Sequence, residues 1–342
     1  MYDLLLERGE QLFFQLVQRL LLENKLSLLQ VATDLKTSSG RILQGIHQWQ
    51  VKGRHLQVGL DIVKDEGKLF LLKNNQFCQR NLFATLVADS VTIELLQELW
   101  QHPSYGISEL ATAAFHSPQT VRRRLRRIQP LLVSYGLSWD FQKRPMLQGN
   151  EAQIRFFYLH LATLLKGNTT AKHPQRLLKI VYQLAEERIH HQYLIKEAWF
   201  DRRWIQEVLG LADYVINERS YRFLWQQLLG LEKVWVSGKL EQALQRYFLF
   251  EAGLGLYRQE FSADLYRLLL LAMLFQGSLT LDFEPRVVIT SATKRLERLF
   301  HDFLPDYDKL ANRHPELSYC YEMLVQKYRQ RQVSPLEIYG LS

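Results

Sequence analysis

The chain has 342 residues, a net charge of +8 and 47% hydrophobic residues. That length suggests two to four domains, and an apolar content near half is enough for ordinary cores, which excludes a disordered chain. Its two cysteines, Cys78 and Cys320, are far apart and form no CxxC pattern, which excludes a disulfide framework and a cysteine-based metal site and fits a reducing cytoplasm. Residues 1–100 are neutral, whereas residues 101–150 hold seven basic residues against Glu109 and Asp140 alone. An excess this local favours one polyanion site over a generally sticky protein.

The N-terminus is apolar in patches, but Glu7, Arg8, Glu10 and Arg19 interrupt it, so no signal peptide is expected. Glu7 to Leu22 is a predicted helix. Leu29 to Ser38 and Ser39 to Trp49 follow as a short helix, a tight turn and a second helix. Leu56 to Val63 and Lys68 to Leu72 read as two strands about the turn Asp65-Glu66-Gly67. The same order then recurs. Val91 to Trp100 is a leading helix, and an offset of 79 residues aligns Ala32 with Ala111, Thr33 with Thr112 and Ser38 with Ser117. It also aligns the apolar stripe Ile42, Ile46 and Trp49 with Val121, Leu125 and Ile128. A small Ala where two helices cross is helix-turn-helix geometry. A second hairpin, Leu137 to Phe141 and Met146 to Gln148, completes the repeat as a wing. Residues 1–78 and 85–149 are therefore expected to be two winged helix-turn-helix domains.

The second unit carries the chemistry. Five arginines lie between Arg122 and Arg127, broken only by Leu125. Ser117 suits the helix N-cap and Pro118 the first helical position. Val121, Leu125 and Ile128 form the buried stripe, which puts the arginines on the outward arc. No glutamate sits at i±4 to relieve their repulsion, so a polyanion is expected to neutralise them. Double-stranded DNA is the expected partner. With Ser117 as the DNA-side cap, Gln119, Thr120, Arg122 and Arg123 would face the major groove, where Gln pairs with adenine and Arg with guanine. Arg126, Arg127 and Lys143 would hold phosphates, Arg144 shares the wing tip with Lys143, and Arg124 belongs to the same DNA-binding set. The first recognition helix offers Arg41, Gln44 and His47 in a neutral domain, so the second unit is expected to dominate affinity.

From Glu151 onward the pattern is helical. Glu151 to Lys166, Gln175 to His191, Trp199 to Leu209, Tyr221 to Leu228, Leu240 to Leu254, Ser262 to Phe275, Ser291 to Phe303 and Leu317 to Gln330 are predicted helices. Breaks fall at Gly167-Asn168, His173-Pro174, Phe283 to Pro285 and His314-Pro315. This suffices for two helical bundles, 150–255 and 256–342, in a mainly α protein. The longest apolar run, Leu268 to Phe275, is too short to cross a bilayer and reads as a buried helix, so no membrane partner is expected.

Two winged units followed by helical bundles resemble the Mga family of Gram-positive transcription regulators. The stretch Ile107-Ser-Glu-Leu-Ala, then Ser117-Pro-Gln-Thr-Val-Arg-Arg-Arg-Leu, then Gln148-Gly-Asn-Glu151-Ala-Gln-Ile-Arg155-Phe-Phe is similar to that family's second DNA-binding domain and the junction after it. The resemblance implies two helical PTS-regulation-type domains, a cytoplasmic homodimer, and activation of surface, virulence or carbohydrate genes with RNA polymerase as a further partner. It also implies histidine phosphorylation by sugar-transport phosphotransferase proteins. The candidates by position are His160, His190 and His191 in the first bundle and His301 and His314 in the second, although a packed or surface histidine is commoner than a phosphoacceptor. Longer family members end in a domain similar to a phosphotransferase IIB component. The sequence read here has no room for one after two bundles. An RNA-binding antiterminator with the same helical domains would lead with a small strand-rich module instead. A protein-interaction scaffold built on winged helices is the other alternative.

An enzyme reading has no support in the sequence. Gly67-Lys68 and Gly238-Lys239 are followed by Leu and lack the glycine of a nucleotide-binding loop. No GxSxG elbow and no HExxH pattern occurs. No cofactor or metal is expected.

Overall fold

A computed structural model describes residues 2–53, 59–75, 77–165, 174–195, 217–232, 236, 238–251, 253–280, 288–304 and 306–330. Sixteen α-helices, two short 3-10 helices and five short strands make up the regular structure of these residues. The chain separates into two compact units, one of Met1–Leu131 with Trp139–Met146, the other of Leu132–Ser138 with Leu147–Ser342.

The first unit opens with α1 (Arg8–Glu23), which buries Phe13, Phe14, Leu16, Val17 and Leu20 on one face. It stops at Asn24, whose left-handed backbone lets its N–H reach the Leu20 carbonyl. A short strand β1 (Lys25–Ser27), α2 (Leu28–Asp34) and α3 (Ser39–Gly53) follow, with Phe13 stacked on Trp49 at 5.0 Å. β2 (Leu60–Asp65) and β3 (Lys68–Lys73) form the expected hairpin, closed by Glu66 and Gly67, both at positive φ (45° and 74°). Two such residues make the tight turn that matches strand twist. β1 adds to the far edge of β3, pairing Leu26 with Leu69. Of the expected strand starting at Leu56, residues 54–58 lie outside the described residues.

A helix not foreseen, α4 (Gln79–Val87), leads into α5 (Val91–Gln101), α6 (Ile107–Ala113), α7 (Pro118–Arg127) and α8 (Gln129–Ser134). The 79-residue repeat extends to the backbone. Lys36 (φ 48°) and Phe115 (φ 53°) occupy equivalent left-handed turn positions. Thr37 donates to the Ala32 carbonyl and His116 to the Ala111 carbonyl, each at 2.9 Å. Leu95, Leu99, Leu110, Ala111, Val121, Leu125 and Met146 share one core. β4 (Ser138–Trp139) and β5 (Leu147–Gln148) are shorter than the predicted strands, because the chain turns back early at Asp140, whose N–H meets the Met146 carbonyl at 2.9 Å.

The second unit contains α9 (Glu151–Leu165), α10 (Pro174–His190), α11 (Glu218–Leu228), α12 (Gly238–Phe250), α13 (Arg258–Leu274), α14 (Ser291–Phe303), α15 (Tyr307–Arg313) and α16 (Leu317–Gln330). The predicted helix Trp199 to Leu209 lies outside the described residues, as do the breaks at Gly167-Asn168 and Phe283 to Pro285. α13 carries the apolar run and is buried nearly all round, in contact with α11, α12 and α16. α9 is equally enclosed. Several buried polar groups on these two helices are paired. Gln153 donates to the Gln276 carbonyl and accepts from the Gln276 N–H, at 2.8 and 2.9 Å. Arg155 lies between Glu151 and Glu218, at 2.9 and 2.7 Å. Asp264 receives Arg267, Lys327 and the Tyr328 hydroxyl. No helix among the described residues is long and apolar enough to cross a membrane.

Candidate nucleic-acid interface

Local chemistry sets the start of α7. The Ser117 hydroxyl accepts from the Thr120 N–H at 3.2 Å and donates to the Thr120 hydroxyl, and Pro118 occupies the first turn. This leaves Ser117 and Gln119 exposed and Thr120 partly so. Helical periodicity then sorts the five arginines. Arg122, Arg123 and Arg126 are exposed, and no carboxylate among the described residues pairs with them.

Arg124 and Arg127 do not face outward with the others. Arg124 pairs with Glu7 at 2.6 Å, and Arg127 donates to the Gln11 side chain at 2.6 Å. Glu7 precedes α1 and Gln11 lies on it. The relief that no i±4 glutamate supplies thus comes from more than 110 residues away in sequence. Burial, and next the neighbouring Arg124, lowers the Arg127 pKa. The two arginines clamp the recognition helix to α1. Ser90 adds to the join by donating its hydroxyl to the Leu5 carbonyl.

The wing is attached through Trp139. Its indole N–H donates to the Leu125 carbonyl at 2.8 Å, a second donor beside the Ile128 N–H at the C-terminal end of α7. Its backbone N–H donates to Gln129. Phe141 stacks on Trp139, and the Arg126 guanidinium lies 5.8 Å from the Phe141 ring. At the wing tip Lys143 is exposed, 3.4 Å from Asp140. Arg144 folds back instead onto Glu109, at 3.3 Å. It passes over Gly106, where any side chain would overlap the guanidinium. Hydrogen bonds from the Glu109 and Gly106 N–H groups, and then Arg144, hold the Glu109 carboxyl below its ordinary value. In the first unit Arg41, Gln44 and His47 are exposed on α3. Arg41 and Gln44 line a polar groove of about 650 Å³ with Arg8, Lys36, Gln11 and Gln15.

The histidines divide into two classes. His160 is fully buried, with Nδ1 2.6 Å from the Tyr135 hydroxyl and its ring against Phe156. His314 is buried with ring nitrogens 3.1 and 2.9 Å from the Gly277 and Ala272 carbonyls. Two acceptors call for a doubly protonated ring, whereas burial lowers the His314 pKa. The two carbonyls and Glu316, 4.0 Å from Nδ1, oppose that lowering. Both rings are enclosed by the helical unit. His190, His191 and His301 are exposed, the last 3.5 Å from Asp308.

Sequence reasoning did not identify Glu7, Gln11, Trp139 and Phe141 as parts of this surface. The one available signal was the acidic start of the chain, Asp3, Glu7 and Glu10, ahead of a basic helix.

The family model of the Mga helix-turn-helix domain matches residues 75–161, from just before α4 into α9. The capsule synthesis positive regulator AcpB of Bacillus anthracis is 26% identical over 171 residues, which cover 50% of this chain and 31% of that protein. The chain therefore spans under a third of that relative's length in the match. Residues 75–161, with the arginine helix at their centre, thus match the Mga helix-turn-helix domain.

Proposed function

We propose that the chain is a DNA-binding transcription regulator that binds promoter duplex mainly through α7. The observation that carries this reading is the exposed, carboxylate-free face of Arg122, Arg123 and Arg126 beside the exposed Gln119 at the start of the helix. Gln119, Arg122 and Arg123 read base edges. Arg126 and Lys143 hold phosphates. Arg124, Arg127 and Arg144 are occupied by Glu7, Gln11 and Glu109 and act as struts for the reading helix and the wing. Arg41 and Gln44 supply a weaker second contact.

By its likeness to a positive regulator, the protein works as an activator in the cytoplasm, with RNA polymerase as partner. The helical unit supports a homodimer, which suits two-fold DNA sites. If phosphotransferase proteins act on it, they act at the exposed His190, His191 or His301. The test is fluorescence anisotropy of the whole chain against promoter duplex, titrated with salt, beside Arg122→Ala/Arg123→Ala. The expected result is a steep salt slope, about 0.9 per phosphate neutralised, with most affinity lost in the variant. Tight binding that ignores the variant would move the site off α7. Preference for hairpin RNA over duplex would favour the antiterminator reading.

A further inference from the structure

A second cluster of arginines lies in the helical unit. α12 and α14 pack together and leave a groove of about 560 Å³ between them. That size falls within the range of small-molecule sites, about 300–1,000 Å³. Arg246, Tyr247 and Phe250 line one wall, and Arg295, Arg298 and Phe303 the other. Arg246 and Arg298 are exposed and have no ion-pair partner among the described residues.

Arg295 is held by the buried Glu251, which accepts from its Nε at 3.1 Å and from Arg329 at 2.6 Å. Burial opposes ionisation of Glu251, but the hydrogen bonds from Arg295 and Arg329 outweigh it and keep the carboxyl below its ordinary value. Asp302 is the one acidic residue in the lining. Within the lining itself Arg246, Arg295 and Arg298 meet Asp302 alone, a surplus of two positive charges. The hydroxyl of Tyr247 is buried and has no hydrogen-bond partner. A buried hydroxyl is rarely left so unless something else completes it. Phe250 is 72% exposed, a large ring left in water beside guanidinium groups.

We infer that this groove binds a small phosphomonoester with a flat apolar body. Such a group carries about −1.5 to −2 charge near neutrality, which matches the surplus. Arg246 and Arg298 take its oxygens from opposite walls, the Tyr247 hydroxyl donates to one of them, and Phe250 and Phe303 cover the body. The site is too small for a nucleic-acid duplex, and it stands independently of the role proposed for α7.

The test uses the whole chain and phenyl phosphate in isothermal titration calorimetry, with inorganic phosphate and benzyl alcohol as separate arms. Phenyl phosphate is expected to saturate one site and to bind about tenfold or more tightly than either fragment arm. Arg246→Ala/Arg298→Ala should weaken it by about tenfold or more. Tyr247→Phe, which removes only the hydroxyl, should weaken it by about threefold to tenfold. Arg122→Ala/Arg123→Ala should leave it unchanged, which separates this site from the arginines of α7. No saturation by about 10 mM, unchanged affinity in both groove variants, or loss in the α7 variant would each overturn the inference.

Discussion

Replacing Arg124 and replacing Arg123 should have opposite consequences, although the two residues are neighbours in one run of arginines. Arg124 lies 2.6 Å from Glu7, with side-chain exposures of 18% and 30%. At an effective dielectric of about 20, charges this close attract by about 4–6 kcal/mol before desolvation is subtracted. Exposed pairs retain about 0–1 kcal/mol of such an attraction, and hydrogen bonds to charged groups about 1.5–3 kcal/mol. Intermediate burial puts this pair at about 1–2 kcal/mol. Arg124→Ala should therefore lower the melting temperature of the first unit by about 3–8 °C. Its DNA affinity at low temperature and its salt slope should stay near those of the parent chain, because no phosphate contact is removed. Arg123→Ala should do the reverse. It should leave the melting temperature alone and cost about 1–3 kcal/mol of specific binding. Differential scanning calorimetry and anisotropy on the same two variants, with Glu7→Gln closing a double-mutant cycle, measure both quantities. An Arg124→Ala protein that melts like the parent yet loses as much DNA affinity as Arg123→Ala would refute the division of the arginines into readers and struts.

Trp139→Phe removes the indole N–H from the Leu125 carbonyl, and denaturant unfolding should show a loss of about 1–2 kcal/mol. Arg155→Met leaves Glu218 without its cation while Glu151 keeps Arg188, and the helical unit should lose about 1–3 kcal/mol in the same assay. The carboxyls of Glu251 and Glu322 are held below the ordinary value of 4.5, where hydrogen-bond donors outweigh burial. A lowered native pKa gives stability that is complete above 4.5 and is lost as pH falls through the lowered value. Acid unfolding of the helical unit should therefore steepen below pH 4.5 and flatten in Glu322→Gln, as followed by circular dichroism. Phe115 is 93% exposed at φ 53°, so Phe115→Gly should raise the melting temperature by relieving about 1 kcal/mol of backbone strain. An unchanged or lower value would mean that the ring makes a contact in solution.

What was legible in the sequence was whatever repeats or caps locally. The apolar stripe Val121, Leu125 and Ile128 and the cap at Ser117 follow from spacing alone, and all four residues sit as that spacing requires. The offset between the two helix-turn-helix units was legible because the same turn needs the same small residue, Ala32 or Ala111, at each crossing. The fate of Arg124 was not legible, because Glu7 lies 117 positions away and nothing periodic marks the pair. β1 was too short for alternation to show, and α4 joins two repeats without belonging to either pattern. The histidines illustrate the same limit. His160 sits on α9, enclosed nearly all round, and His190 near the exposed end of α10, and only tertiary packing distinguishes them.

The pairing of Gln153 with Gln276 has a consequence for how the protein comes off the ribosome. Chains emerge from the N-terminus at about 5–20 residues per second, and domains fold as units. The unit that carries α7 has all its residues once Met146 is out, whereas α9 must wait for Gln276, 130 residues later, to satisfy its buried amide. For several seconds of each synthesis the arginine face can thus be complete while the helical unit is still open. A nascent chain could engage a polyanion before the part expected to govern it exists.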